Sequence, residues 1–522
     1  MLTKLIQTES MKIYFPYSLV LILVLMSNLR CTKPSPKLPP NVLFISIDDL
    51  NDWIEPLGGL DIAITPHLSR LSDEAMTFTN AHCPSPSCAP SRIAIMTGVH
   101  PVKSDIMKNK GGDGPFWRSN PALSEISTME QFFRSEGYMT LAGGKIYHTL
   151  APPRTIMNQA EPESWDFWFP SAHIPIPFQE RAPDSVLYLP NVIGSYPDYF
   201  TWGPMTVPDE KMADFHIVEW ANYEMSRKHE KPFFMAVGIT KPHDPWEVPQ
   251  KYFDMYPIES IPDLPFMKND LEDAYEHGRR QLHNFIILNG EEKKVIQAYL
   301  ASISFVDAMV GKLLDGLQQS RYKDNTIVIL WSDHGMHMGE KENWEKFTLW
   351  ERSTRVPLFI KAPGISRPGS TTDEAVSLLD LYPTLAELIG EEIPNHCDGT
   401  SLVKLLKDPN ATRESVVMGY EFTQGNGYAV RSEKYRYIYY PFSGLEELYD
   451  HEEDPHEWIN LAYRKDLRQV ILENRKILSN KVSGLRWVDQ IPNDYELSEN
   501  EQIKKRQFIP IENLTYENKW SL

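Results

Sequence analysis

Several apolar, β-branched runs in this chain stop abruptly at acids, histidines or lysines. Asn41-Val-Leu-Phe-Ile-Ser-Ile leads into Asp48-Asp49, and Thr326-Ile-Val-Ile-Leu-Trp331 leads into Ser332-Asp333-His334-Gly335. Pro232-Phe-Phe-Met-Ala-Val-Gly238 leads into a loop carrying Lys241, His243 and Asp244, and Tyr138–Ala142 ends in Gly143-Gly144-Lys145 with His148 close behind. Runs without polar alternation are what strands look like when both faces are buried, as in a parallel sheet. The carboxyl ends of such strands share one edge, where open α/β sheets bind their ligands. A single aspartate there reads equally well as the cap of the next turn, and Lys145 and His148 alone would read as solvated. Two adjacent acids tilt the reading toward a metal site. Three carboxylates with a histidine suit a hard divalent cation, Ca²⁺ or Mg²⁺, rather than thiolate-bound zinc.

A second constraint is Cys83-Pro-Ser-Pro-Ser-Cys88-Ala-Pro-Ser-Arg92, followed by Ile93-Ala-Ile-Met-Thr-Gly98. The prolines forbid regular structure before Cys88. Ile93–Met96 reads as the buried start of a helix ending near Gly98. Cys88 is then expected where a loop meets a helix N-terminus, a place that favours negative charge. A structural thiol or a Cys83–Cys88 disulfide is the plainer alternative.

Length and charge set the outer bounds. The chain has 522 residues, with 52 Lys and Arg against 71 Asp and Glu, a net charge of −19. That balance excludes nucleic acid as the main partner. It also requires any anionic substrate to be held by local cations, because salt screens the global field beyond roughly 10 Å. Four cysteines, Cys31, Cys83, Cys88 and Cys397, are too few for a disulfide scaffold.

The apolar stretch Ile13–Met26 after Met11-Lys12 reads as a secretory signal, too short for a comfortable membrane span. Leu29-Arg30-Cys31 loosely resembles a bacterial lipobox, Arg30 being an untidy fit. The expected organisation is a signal over 1–31, a Pro-rich tether over 32–40, a catalytic domain over 41–397 and a C-terminal subdomain over 398–522. The fold class is α/β: a large, mostly parallel sheet sandwiched by helices, with a smaller α+β subdomain. Helices are expected at Thr65–Leu71, Met129–Gly137, Lys211–Glu230 and Glu292–Leu317, and within 371–389. Arg355–Ile360 reads as one strand, and residues 149–210 and 250–290 as irregular insertions. Short strands at Val416–Tyr420, Gly427–Arg431, Tyr435–Tyr440 and Glu446–Tyr449, then a helix over Lys465–Asn480, suggest the antiparallel sheet and helix of the subdomain.

Cys88-Ala-Pro-Ser-Arg92 with Thr97-Gly98 resembles the motif of type I sulfatases, whose cysteine is oxidised to formylglycine. The resemblance extends through Asp48-Asp49, Thr65-Pro-His-Leu68, Gly144-Lys145, Lys241-Pro-His243 and Ser332-Asp-His-Gly335, most of residues 41–400. Phe234–Gly238, Ala298–Ser304, Trp344-Glu-Lys346 and His334 are most similar to the iduronate-2-sulfatase branch. Gly339-Glu-Lys-Glu-Asn343 departs from that branch and puts the substrate rim there in doubt.

The resemblance implies an alkaline-phosphatase-like fold and one Ca²⁺ held by Asp48, Asp49, Asp333, His334 and the oxygen of modified Cys88. It implies a formylglycine hydrate as nucleophile on sulfur, oriented by Arg92, with Lys145 and Lys346 neutralising the sulfate. His243 would protonate the leaving oxygen, and His148 would take the proton that releases sulfate. Expected partners are a sulfated oligo- or polysaccharide, of glycosaminoglycan or ulvan type with a uronic acid 2-O-sulfate, and a formylglycine-generating or anaerobic sulfatase-maturating enzyme. Export to a bacterial periplasm or surface, tethered through lipidated Cys31, completes the expectation. The competing readings are a phosphate or phosphonate ester hydrolase of the same superfamily, which would need further metal ligands, and a catalytically silent glycan-binding lipoprotein.

Overall fold

The structure, a computed structural model, describes residues 39–109, 116–148, 164–169, 201–268, 270–275 and 280–487. The signal and lipobox readings, most of the 149–210 insertion and the end of the C-terminal region lie outside the described residues. Among those residues no helix is long and apolar enough to cross a membrane.

The main sheet contains β1 (Asn41–Asp48), β2 (Met76–Phe78), β3 (Met139–Gly144), β4 (Phe167–Phe169), β5 (Phe233–Pro242), β6 (Thr326–Ser332), β7 (Leu358–Lys361) and β8 (Ser370–Thr372). Their order is β8-β2-β7-β6-β1-β5-β3-β4. The block β6-β1-β5-β3-β4 is parallel, so its carboxyl ends share one edge; β7 runs antiparallel to β6 and β2. Every residue of β1 is buried. Leu43, Ile45 and Ile47 enter one core and Val42 and Phe44 the other. This two-sided burial explains a strand without polar alternation.

Helices α1 (Pro66–Glu74), α3 (Ala213–Ser226) and α4 (Glu292–Gln319) cover the first face, while α2 (Cys88–Thr97) and α5 (Leu381–Ile389) cover the other. At the C-terminus β9 (Val416–Phe422), β10 (Gly425–Arg431), β11 (Tyr435–Tyr440) and β12 (Leu445–Asp450) form an antiparallel sheet. Helix α6 (Arg468–Lys481) packs Ile471 and Leu478 against Tyr437, Tyr439 and Leu448 of that sheet.

Two sets of contacts join the sheets. Arg436, fully buried, donates to the Leu349 carbonyl at 2.8 Å and pairs with Glu457 at 2.8 Å and with Glu351. The backbone of β9 reaches the Cys88 region directly: Gly419 N donates to the Pro84 carbonyl and Glu421 N to that of Met107, both at 3.1 Å.

Four expectations need correction. Arg355–Ile360 is not one strand. Pro357 lacks a donor and divides it into Arg355–Val356, paired with Ala81–His82, and β7. The 250–290 insertion contains helices Gln250–Phe253 and Arg280–Leu288, the second with Leu282, Ile286 and Ile287 buried. The 149–210 insertion supplies β4, and its Trp202–Met205 pairs with Trp246–Pro249. Finally, α2 begins at Cys88 itself rather than at Ile93, since proline at position 90 falls within the first turn, where no N–H is needed.

Candidate active site

The strand ends are laced together before any cation is considered. Asp49 adopts a left-handed backbone, φ 65°, which turns the chain out of the sheet. Its N–H donates to Asp333 Oδ1 at 3.1 Å, and Asp333 N donates to the Ile47 carbonyl at 3.2 Å. The Ser332 hydroxyl accepts from Leu50 N at 2.9 Å and donates to the His334 carbonyl at 3.0 Å. Asp48, Asp49, Asp333 and His334 are all fully buried.

Lys145 arrives through a close approach of β3 and β5. Lys145 N donates to the Gly238 carbonyl at 3.1 Å. Gly144 sits at φ 74°, where a Cβ would lie 1.9 Å from that same carbonyl oxygen. Only glycine fits. Gly144→Ala should cost about 1–3 kcal/mol through strain and overpacking. It should also lower kcat while leaving the protein folded, as thermal melting and turnover of one preparation would show. Unchanged values for both would mean that the strand ends are not packed this closely.

Cys88 opens α2, with its thiol directed at the carboxylate cluster. Sγ lies 3.2 Å from His334 Nε2 and 4.0 Å from Lys145 Nζ. Asn109 Oδ1 accepts from Ser87 Oγ at 2.8 Å and from Ala89 N at 2.9 Å, gripping the chain on both sides of residue 88. Ser91 Oγ donates to the Asp333 carbonyl at 2.6 Å, tying the first turn of α2 to the end of β6. Cys83, Cys88 and Cys397 are free thiols, so the Cys83–Cys88 disulfide is not formed. The dipole of this helix favours a negatively charged or polarised group at residue 88, its first residue.

Three cations press on the acids. Arg92, fully buried, pairs through Nε with Asp333 at 2.8 Å and through Nη2 with Asp48 at 3.2 Å. Its Nη1 donates to Ser46 Oγ and to the Lys145 and Ile146 carbonyls. It therefore braces the carboxylates from behind. Lys145 pairs with Asp48, and Lys346 holds both oxygens of Asp49, at 2.7 and 2.6 Å. Lys346 is flanked by Glu345 and Phe347, both at positive φ, and Phe347 N donates to the Pro86 carbonyl. Backbone strain of this kind concentrates where a side chain must be aimed.

Burial alone would neutralise these groups, so their shifts report who wins. Burial raises Asp48, but Lys145, His243 and Arg92 overcome it and hold the carboxyl well below its usual range. Asp49 is lifted to about 7 by burial, tempered by Lys346. Burial pulls His334 down, yet Asp333, Cys88 and Asp49 outweigh it and raise it to about 9. Burial and the field of Lys145 push His148 down to about 3, and burial with Lys346 and Lys145 depresses His243 strongly.

The donor set fits a hard cation. One donor atom each from Asp48, Cys88, Asp333 and His334 lie within 4.8 Å of one another, as do one each from Asp48, Asp49, Cys88 and His243. Ligands of a single Ca²⁺ at about 2.3–2.6 Å are at most roughly 5 Å apart. His334 Nδ1 is 3.0 Å from the Gly335 carbonyl. Donating there leaves Nε2 as a lone-pair donor.

The remaining expected residues converge on the same edge. His148 is buried, and among the described residues neither ring nitrogen has a hydrogen-bond partner. His243 follows β5 in a loop shaped by the Asp214 carboxylate, which accepts from Thr240 N at 2.9 Å and Lys241 N at 3.0 Å. Asn109, Ser91 and Asp214 escaped sequence reasoning, because each acts on the backbone of a distant loop and carries no local pattern. Lys341, in the segment departing from the iduronate-2-sulfatase branch, is buried and pairs with Asp270 at 3.0 Å, packing over Trp350 and Tyr449. It pins an insertion to the core. A separate acid–histidine group, Glu351, His451 and Glu457, is already neutralised by Arg431 and Arg436.

The chain matches the Sulfatase family over residues 40–391, and an N-sulphoglucosamine sulphohydrolase C-terminal family over residues 339–483. It belongs to the sulfatase family. This sulfatase is 38% identical to a sulfatase of Formosa agariphila over 81% of its own length and 83% of the relative's. It is 28% identical to human iduronate 2-sulfatase, over 68% and 70% of the two chains. An ulvan-active sulfatase of Formosa agariphila is 29% identical, over 85% and 81%. Among solved structures, a phosphonate monoester hydrolase from Silicibacter pomeroyi superposes with a TM-score of 0.67 at 20% identity, covering 85% of this chain and 95% of that one. That likeness concerns the fold alone, which is the alkaline-phosphatase-like one. The activity is sulfuric ester hydrolysis, which sets aside the silent binding reading.

Proposed function

We propose that this sulfatase desulfates a sulfated saccharide, a uronic acid 2-O-sulfate of glycosaminoglycan or ulvan type, using residue 88 as formylglycine beside one Ca²⁺. The observation that carries the reading is the placement of Cys88 Sγ 3.2 Å from His334 Nε2, within reach of buried Asp48 and Asp333 and of Lys145. Asp48, Asp49, Asp333, His334 and residue 88 would hold the ion. Bound there, Ca²⁺ polarises oxygen and draws negative charge into a dry site. The formylglycine hydrate supplies two hydroxyls on one carbon, so that one can attack sulfur and the other can later expel sulfate.

The chain's own side chains do the rest. Lys145 and Lys346, the two lysines at the mouth of this acid cluster, would meet the sulfate oxygens. His243, neutral beside two lysines, moves toward protonation as the sulfate cancels their field, and can then protonate the departing sugar oxygen. His148 is held neutral by burial and the field of Lys145; as the sulfate offsets that field it becomes a better base and can accept a proton. The names of the iduronate 2-sulfatase and ulvan-active relatives support the saccharide class. We further propose export through residues 1–31, a lipid tether at Cys31, a catalytic domain over 41–397 with a subdomain over 398–522, and maturation by a formylglycine-generating or anaerobic sulfatase-maturating enzyme.

The test is sulfate release from a panel of defined sulfated oligosaccharides, using protein co-expressed with a maturating enzyme. Release from terminal 2-O-sulfated uronic acids is expected, and prolonged chelation should abolish it until Ca²⁺ is restored. Faster turnover of phosphate or phosphonate esters, or indifference to chelation, would overturn the reading.

A further inference from the structure

One acid beside the site has no part in the scheme above. Asp244 is the neighbour of His243, and its carboxylate is buried, with only 8% of the side chain exposed. Its Oδ1 lies 3.2 Å from His243 Nδ1, and the Asp244 main-chain carbonyl lies 2.6 Å from the same nitrogen. Of these two contacts the carbonyl one is the hydrogen bond and the carboxylate one an ion-pair contact. A buried carboxylate is costly to desolvate; Lys346 and Lys241 act on this one through space, but the side chain it touches is His243.

The loop is built to keep the pair in register. Lys241 Nζ donates to the Pro245 carbonyl, Trp246 Nε1 donates to the Pro242 carbonyl at 2.6 Å, and His243 N donates to the Thr240 carbonyl at 3.0 Å. The Asp244 carbonyl accepts at Nδ1 and the carboxylate lies in ion-pair contact beside it, a setting that favours a hydrogen on Nδ1 and leaves Nε2 as the nitrogen for chemistry. One ring nitrogen of His243 already lies within 4.8 Å of Cys88 Sγ and of carboxylate oxygens of Asp48 and Asp49.

We propose that Asp244 is a positioning residue that, with its own carbonyl, clamps Nδ1–H and fixes the tautomer and plane in which His243 presents Nε2 to the leaving-group oxygen. The proposal rests on the sulfatase reading above. It makes a specific demand. Loss of Asp244 must hurt most where the leaving group needs a proton, a sugar alkoxide, and least where it does not, a nitrophenolate.

The experiment compares wild type, Asp244→Asn, His243→Ala and the double variant, each with its aldehyde content at residue 88 measured by mass. The probes are the best sulfated oligosaccharide of the panel and 4-nitrophenyl sulfate. Asp244→Asn should lower kcat on the saccharide about 10–100-fold, at least tenfold more than on 4-nitrophenyl sulfate, with KM little changed. In the double variant it should add less than about threefold to the loss caused by His243→Ala. Equal losses on both esters, or losses that multiply in the double variant, overturn the clamp. If Asp244→Asn is poorly folded, Asp244→Ala and Asp244→Glu enter the same cycle. Should one ester be inert with wild type, the cycle on the other decides. Inertness of wild type toward every sulfate ester fails the sulfatase reading rather than the clamp.

Discussion

Cys88→Ala is expected to remove turnover by at least about a thousandfold while leaving the melting temperature nearly unchanged. The size follows from covalent catalysis, where losing the nucleophile leaves only binding and electrostatic stabilisation. The thiol contributes little packing: it is small, and its polar neighbours, His334 and Lys145, keep other partners in Asp49, Asp333 and Asp48. Wild type prepared without a maturating enzyme should behave in the same way, folded and silent. Mass analysis of the peptide bearing residue 88 should then find an unmodified thiol. Substantial turnover by the alanine variant, or by fully unmodified wild type, would falsify the assignment of residue 88.

Arg92→Met should produce the largest loss of stability, about 3–5 kcal/mol in the presence of chelator. Arg92, Asp48 and Asp333 are all fully buried. A methionine fills much of the volume but takes a buried cation from two carboxylates that water cannot reach, leaving Asp48 with Lys145 and Asp333 with His334. The magnitude separates this from a surface pair, whose loss costs about 0–1 kcal/mol. Saturating Ca²⁺ should recover part of the loss, because a divalent ion between the same acids replaces the missing charge. Denaturant midpoints measured with chelator and with Ca²⁺ provide both numbers. A loss below about 1 kcal/mol in chelator would mean that these acids are not ionised or not dry.

Why the site was legible and parts of the fold were not is a question of where the information sits. β1, β5 and β6 announce themselves because burial on both faces demands uninterrupted apolar residues. The acids that end them are conspicuous against that background. The motif at Cys88 likewise condenses nucleophile, helix start and Arg92 into five residues. Asn109 offers no such density: an isolated asparagine twenty-one residues beyond Cys88 acquires its role only when folding brings it against Ser87 and Ala89. Asp214 works in the same way on the His243 loop. The helix Arg280–Leu288 was obscured by its short length and polar flanks, and the break at Pro357 by the apolar residues on either side. Lys341 sits in the segment that departs from the iduronate-2-sulfatase branch, and nothing in its sequence neighbourhood shows that Asp270, Trp350 and Tyr449 draw it inward.

The hydrogen bonds from β9 to the Pro84 and Met107 carbonyls carry a consequence for how this protein tolerates damage. They place the catalytic loop between the main sheet and the C-terminal one, so neither end of the chain alone keeps residue 88 in register. A lesion that loosens β9, more than three hundred residues downstream, should be read out as lost turnover before it is read out as unfolding. Trimming from the C-terminus would then erode catalysis gradually rather than simply remove an appendage.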